Sequence, residues 1–158
     1  MHDAADRPHL IELSLPPRPE VVAIARLVVG ALASIDPAFD EERGADLRLA
    51  VSEALTNAIQ AQRAVRDGAG SSAPIELRCA LSDSCTELEV RDHGGGFDPG
   101  RVPATPPPTA DDRLDHEGGL GLPLIRLLAD ELQVRPSPGG TTVVMSFTPR
   151  HGGERSRL

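Results

Sequence analysis

The chain has 158 residues, enough for one hydrophobic core and too few for two well-filled ones, so it reads as a single domain. A formal net charge of −8 with no basic cluster opposes direct binding to nucleic acid. All 16 basic residues are Arg; the absence of Lys removes the phosphate-loop NTPases, the eukaryotic-type protein kinases and Schiff-base enzymes, each of which needs an ammonium at the reacting centre.

Residues 9–15 alternate as His-Leu-Ile-Glu-Leu-Ser-Leu and stop at Pro16-Pro17, which predicts a first strand. A helix is expected over 19–34, carrying Val22, Ile24, Ala25, Val28, Val29 and Leu32. Its low polar content predicts a second apolar surface besides the one facing the core. Asp36-Pro37 and Asp40-Glu41-Glu42 supply a turn and a helix start. In the helix that follows, Leu47, Ala50, Val51, Ala54, Leu55, Ala58 and Ile59 recur at i, i+3, i+4 and i+7, the period of one buried stripe. Gly68 to Ser72 is expected to end it.

Strands are predicted over 74–81 and 85–91, paired antiparallel around Ser82-Asp83-Ser84. Cys79 and Cys85 have no His or Cys cluster to complete a zinc site and read as small buried hydrophobes in these two strands. Residues 98–117 are rich in Pro and acidic residues and read as a mobile loop. A short helix over 120–131 and strands at 132–135 and 141–148 complete the domain, with flexible tails at 1–8 and 149–158. Only three residues are aromatic, all Phe, so the core is aliphatic. The fold class expected is α+β: a two-layer sandwich, its mixed, mostly antiparallel sheet covered on one face by about three helices. No apolar run reaches the length of a membrane span and no secretory leader is legible, so a reduced, cytoplasmic location is expected.

Three clusters carry chemistry. Glu53 and Asn57, at i and i+4, share a ridge about 120° from the centre of the buried stripe. There a carboxylate could act as a base beside an amide oxygen suited to Mg²⁺; a solvated helix flank would look the same. Asp92 ends a predicted strand and is followed by His93 and then Gly94, Gly95 and Gly96, a pattern that suits an acceptor for an exocyclic amine beside backbone that approaches a ligand closely, or equally a capped glycine turn. Gly118-Gly119-Leu120-Gly121-Leu122-Pro123 opens a helix, where glycines expose backbone N–H groups to an anion. It is not a dinucleotide fingerprint, because a loop rather than a strand precedes it and the third glycine is missing.

In order and spacing, Glu53-Ala-Leu-Thr-Asn57, Asp92-His-Gly-Gly-Gly96, Gly119-Leu-Gly121-Leu and Gly140-Thr141-Thr142 resemble the sequence boxes of the GHKL (Bergerat-fold) ATPase superfamily. Ala50 to Ala58 and Gly118 to Ile125 look like the stand-alone bacterial anti-sigma-factor serine/threonine kinases, and the resemblance runs over residues 10–148. It implies ATP and Mg²⁺ as cofactors, Glu53 as general base and Asn57 as metal ligand. Asp92 would face the adenine amine with Thr141 nearby, Gly94 and Gly96 would shape the floor, and Gly119, Leu120, Gly121 and Leu122 would present N–H groups to the phosphates. Residues 98–117 would be an ATP lid, in which Arg101 and Arg113 read as solvated. The implied partners are a sigma factor and an anti-sigma-factor antagonist of the STAS type, with the kinase a homodimer; neither nucleic acid nor membrane is implied. The family often has His four residues after the Asn, where this chain has Ala61. A non-catalytic, nucleotide-dependent sequestering module is the alternative, against which the presence of Glu53 argues.

Overall fold

A computed structural model of the chain describes residues 8–65, 72–95 and 121–150. In order these form β1 (His9–Leu15), α1 (Glu20–Ile35), α2 (Glu41–Arg63), β2 (Ile75–Leu81), β3 (Thr86–Arg91), α3 (Gly121–Leu128), β4 (Glu131–Ser137) and β5 (Gly140–Phe147). The strands make one sheet in the order β1-β2-β3-β5-β4. Every pairing among them is antiparallel, which corrects the expectation of a mixed sheet. No parallel neighbour arises because β4 returns to β5 by a hairpin and β5 meets β3 running the opposite way.

Period-2 alternation sets the two faces of the sheet. Ile11, Cys79, Leu88, Met145 and Leu132 line up in register on the inner face, and Leu13, Leu77, Val90, Val143 and Val134 form the next row. Glu12, Arg78, Glu89 and Gln133 occupy the outer face between them, so the helices lie on one side only. Helix α2 is central to that layer, packed between α1 and α3 and over the sheet. Its stripe from Leu47 to Ile59 is buried as the spacing requires. Asp40 caps it by accepting from the Arg43 N–H at 2.7 Å. Helix α1 buries Val21, Ala25, Val29 and Leu32 but exposes Ile24, Leu27 and Ile35, the second apolar surface that its composition predicts.

Two boundaries differ from the sequence reading. Helix α2 stops at Arg63, ahead of Gly68, which lies outside the described residues. Helix α3 stops at Leu128, because the Asp130 N–H bonds to Ser146 O at 2.9 Å and draws the chain into the sheet as β4. Pro136 is tolerated in β4 because that strand is an edge. Of the two cysteines, Cys79 is buried in β2 and its thiol is pushed up to about 11 by burial. Cys85 is only half-buried and lies in the turn before β3, paired through its backbone with Ser82, which corrects its assignment to a strand. Burial is also the main cause that raises its thiol above the ordinary value, so neither cysteine favours the reactive thiolate.

The most buried charge is Arg43, with a relative exposure of 0%. Its guanidinium donates to Thr148 O at 3.1 Å, Leu128 O at 2.7 Å and Asp46 Oδ2 at 3.1 Å, and also to Asp130 Oδ2. It lies 5.0 Å from the Phe147 ring centroid. One side chain thus ties the first turn of α2 to the end of α3 and the end of β5. Burial pushes the Asp130 carboxyl up, but the Thr148 N–H and hydroxyl and the Arg43 charge together outweigh it, and the net shift is down. Asp130 is 44% exposed, so solvent screens this ion pair and the buried main-chain carbonyls matter more. We expect Arg43→Met to lose about 3 kcal/mol in urea unfolding, from carbonyls and a carboxylate left without their donor. A loss below about 1 kcal/mol would show that water replaces the guanidinium there.

Candidate nucleotide-binding site

The i, i+4 ridge of α2 that bears Glu53 and Asn57 continues to Ala61, and two of these three residues meet other elements of the site. Ala61 touches the loop after β3: a Cβ built on Gly94 would fall 3.0 Å from the Ala61 carbonyl and side chain. Asn57 touches the start of α3: a Cβ on Gly121 would strike its side-chain amide, Nδ2 first and then Oδ1 at 2.8 Å. Both glycines are buried, and a side chain at either would crowd its neighbour, the Ala61 backbone at Gly94 and the Asn57 amide at Gly121. Glu53 stands one turn further along, half-buried, and its carboxylate has no partner among the described residues. Ser52 and Thr56, its neighbours on the helix, turn their hydroxyls back to Arg48 O at 2.7 Å and Ser52 O at 2.8 Å and so do not occupy it.

Asp92 lies at the end of β3 with 6% of its surface exposed. Its N–H donates to Thr141 O at 2.9 Å, and its Oδ1 accepts from Gly94 N at 2.9 Å and Thr141 N at 3.2 Å. Both bonds use one oxygen, which leaves Oδ2 free to accept from a ligand. Desolvation raises the carboxyl above its ordinary value, against the lowering effect of the Gly94 and Thr141 amides. Gly140 makes this possible: its φ is +150°, and a Cβ there would strike the Asp92 carbonyl.

Residues 92–94 are held from below by Gln62, whose Oε1 accepts from His93 N at 3.2 Å while its Nε2 donates to Ala73 O at 2.7 Å. The sequence reading gave Gln62 no role at this site and placed Gly140 in one of the family's boxes without a role of its own. The one signal for Gln62 in the sequence is its place one step beyond the Leu55–Ala58–Ile59 stripe, which is compatible with burial and does not require it.

The first turn of α3 presents the N–H groups of Gly121, Leu122 and Leu124, Pro123 having none, so that end of the helix suits an anion next to Asn57. Gly96, Gly119, Leu120 and the segment 98–117 lie outside the described residues. Among the described residues, no three His, Cys, Asp or Glu side chains converge on a metal position. A single amide oxygen such as that of Asn57 fits Mg²⁺ carried in with a polyphosphate, since that ion keeps most of its waters and takes few protein ligands. Also among the described residues, no helix is long and apolar enough to cross a membrane.

The profile of the histidine kinase-like ATPase domain matches residues 15–147, from the end of β1 to the end of β5. The chain is a member of that family. The serine-protein kinase RsbW of Bacillus subtilis is 38% identical over 152 residues, covering 92% of this chain and 88% of its own. RsbW of Bacillus pumilus is 36% identical over 144 residues, covering 89% and 87%. A crystal structure of RsbU and RsbW domains from Mycobacterium tuberculosis superposes with a TM-score of 0.63 at 19% identity, over 89% of this chain and 32% of that one, a likeness of fold. The histidine kinase domain of a blue-light-activated kinase from Erythrobacter litoralis does so with a TM-score of 0.51 at 24% identity, over 85% and 61%.

An ionised Asp92 is costly to keep buried, which yields a two-sided prediction. Its raised folded-state pKa means that its charge costs nothing below the unfolded value and that the cost grows as pH rises through the folded one. Asp92→Asn keeps Oδ1 for both amides and removes the charge. We expect a melting temperature at pH 7 equal to or above that of the unsubstituted chain, the gain fading below the ordinary carboxylate range. ATP affinity measured by calorimetry should fall about tenfold, because a donor replaces the acceptor Oδ2. The chain itself should prefer ATP to GTP by about tenfold, since guanine presents an acceptor where adenine presents its amine. Unchanged ATP binding in the variant, or equal affinity for GTP, would take Asp92 out of base recognition.

Proposed function

We propose that this chain is an ATP-dependent serine/threonine protein kinase of the anti-sigma-factor type, with the junction of α2, the Asp92 loop and the start of α3 as its active site. The observation that supports this reading is the Asn57–Gly121 contact, which brings the Asn57 amide against the first described turn of α3, one helical turn from Glu53, a half-buried carboxylate without a partner among the described residues. The RsbW proteins it matches over about nine-tenths of its length are named serine-protein kinases, which supports the same assignment.

In this reading Glu53 is the general base that accepts the proton of a Ser or Thr hydroxyl, and Asn57 holds Mg²⁺ through Oδ1. Asp92 accepts from the adenine amine, with Thr141 beside it. Gly94 and Gly96 form the floor under the base, and the N–H groups of Gly119, Leu120, Gly121 and Leu122 face the phosphates. ATP·Mg²⁺ supplies the transferable phosphoryl group when bound. Ala61, where relatives of this type often carry His, lies under Gly94, so that position serves here to seat the base loop rather than to carry a polar group toward the phosphates.

The hydroxyl belongs to an anti-sigma-factor antagonist of the STAS type, and the same protein sequesters a sigma factor. A homodimer acting in the cytoplasm completes the proposal. The uncovered Ile24, Leu27 and Ile35 of α1 support an interaction with protein on that face. A sequestering module without catalysis has no use for Glu53, and the free carboxylate favours the enzyme.

The decisive comparison separates binding from chemistry. Glu53→Gln keeps the shape and removes the proton acceptor, so ATP affinity should stay within about twofold while radiolabelled phosphate transfer to a cognate antagonist falls about 10²-fold. Asn57→Ala deletes a metal ligand and should depress Mg²⁺-dependent ATP affinity and transfer together. If the unsubstituted chain binds a verified antagonist without phosphorylating it, or Glu53→Gln transfers at full rate, the non-catalytic module is the correct reading.

A further inference from the structure

We infer that Gln62 is a positioning residue for base recognition: its side-chain amide latches the Asp92 loop to the C-terminal turns of α2 and so sets which nucleobase the site accepts. The inference rests on Asp92 being the adenine acceptor, and it assigns to Gln62 the geometry of that acceptor.

The stripe of α2 is apolar from Leu47 to Ile59, and Gln62, one step beyond, is fully buried. A buried side-chain amide is costly unless both its ends are bonded. Here the two ends reach different segments: Nε2 donates to Ala73 O at the approach to β2, and Oε1 accepts from His93 N in the loop after β3. Methionine of similar length would fill the same volume but would serve neither backbone group. The structure therefore uses the polarity of Gln62 as well as its bulk.

The position of the second bond gives it leverage. His93 N lies one residue after Asp92 and one before Gly94, whose N–H donates to Asp92 Oδ1 at 2.9 Å. On the far side, Thr141 N reaches the same oxygen at 3.2 Å, and Gly94 is seated against Ala61. Asp92 is thereby fixed by β5 on one flank, while the loop that leaves it is fixed by Gln62 and Ala61 on the other. With the His93 N–H released, the loop could rise from α2, and the Gly94 amide that helps to direct both lone pairs of Oδ1 inward would go with it. Oδ2 would then no longer be held toward one donor. Asn57 and Glu53 lie one and two turns further back along α2 and do not depend on the latch.

The test is Gln62→Met, assayed by calorimetry at a temperature where circular dichroism shows it folded, with three probes: ATP·Mg²⁺, GTP·Mg²⁺ and Mg²⁺-tripolyphosphate, which lacks a base. We expect ATP affinity to fall about tenfold, GTP and tripolyphosphate affinities to stay within about twofold, and the preference for ATP over GTP to collapse. If all three affinities fall together, or the preference survives, Gln62 is only a structural residue and the inference is overturned. If the unsubstituted chain itself does not distinguish ATP from GTP, the assignment of Asp92 has failed, which is a separate result. Should the variant not fold, hydrogen exchange on the unsubstituted, nucleotide-free chain decides. The His93 amide should then exchange as slowly as the strand-like Asp92 amide, and exchange at the rate of an open loop would overturn the latch.

Discussion

The structure depends on how α2 is buried. Its apolar stripe interleaves Ala50, Ala54 and Ala58 with Leu47, Val51, Leu55 and Ile59, and every one of these residues is buried. At either end the stripe runs into a residue that must bring its own partners into the core. Arg43 gathers carbonyls from Leu128 and Thr148, and Gln62 holds Ala73 and His93. A helix anchored this way can neither rotate nor slide without leaving buried polar groups unpaired, at a cost of about 1–3 kcal/mol each. The ridge of Glu53, Asn57 and Ala61 is therefore held at one fixed angle.

The site is built by backbone approach. Gly94 on Ala61 and Gly140 on the Asp92 carbonyl are junctions at which a methyl group would press on backbone, and at Gly121 it would displace the Asn57 amide. Each brings a different segment of chain to the same side of α2 or the end of β3. In the proposed reading, the N–H groups at the start of α3 face a polyphosphate, and Arg is the only cationic side chain that a chain without Lys can add to them. Arg43, the only fully buried cation among the described residues, is engaged in holding α3 to α2 and β5 and is not available to a phosphate.

In the proposed reading, stability and function are opposed at Asp92. An ionised carboxylate with 6% exposure and two amide donors on one oxygen is costlier than a neutral residue in that place, and its raised pKa is the signature of that cost. Arg43 and Gln62 are buried polar side chains as well, but the groups that bond them are supplied by the main chain and by carboxylates, whereas Asp92 is a buried carboxylate with only amide donors on one oxygen. The outer sheet face carries interleaved acidic residues and Arg, for example Glu12 beside Arg78 and Glu76 beside Arg91, and these exposed pairs contribute little to stability.

Periodicity determined most of the elements: the alternation in β1, β2 and β3 and the long stripe of α2 admit few other foldings, β5 shows instead as an apolar β-branched run, and the aliphatic composition favoured helices on a sheet. Each of Glu53, Asn57, Asp92 and the glycines before α3 has an ordinary structural reading by itself, and their order and spacing together carried the resemblance to the family that the profile match shows. Tertiary structure decided what depends on contacts between distant segments. The end of α3 is set by Asp130 joining Ser146, which no local signal near residue 130 encodes. The all-antiparallel order of the sheet follows from where β5 lies between β3 and β4. Arg43 and Gln62 sit on the buried stripe in the sequence, but a polar residue at the end of a stripe can equally point to solvent. Only the carbonyls and amides that 3-D packing brings to them, from up to 105 residues away, require them to be buried.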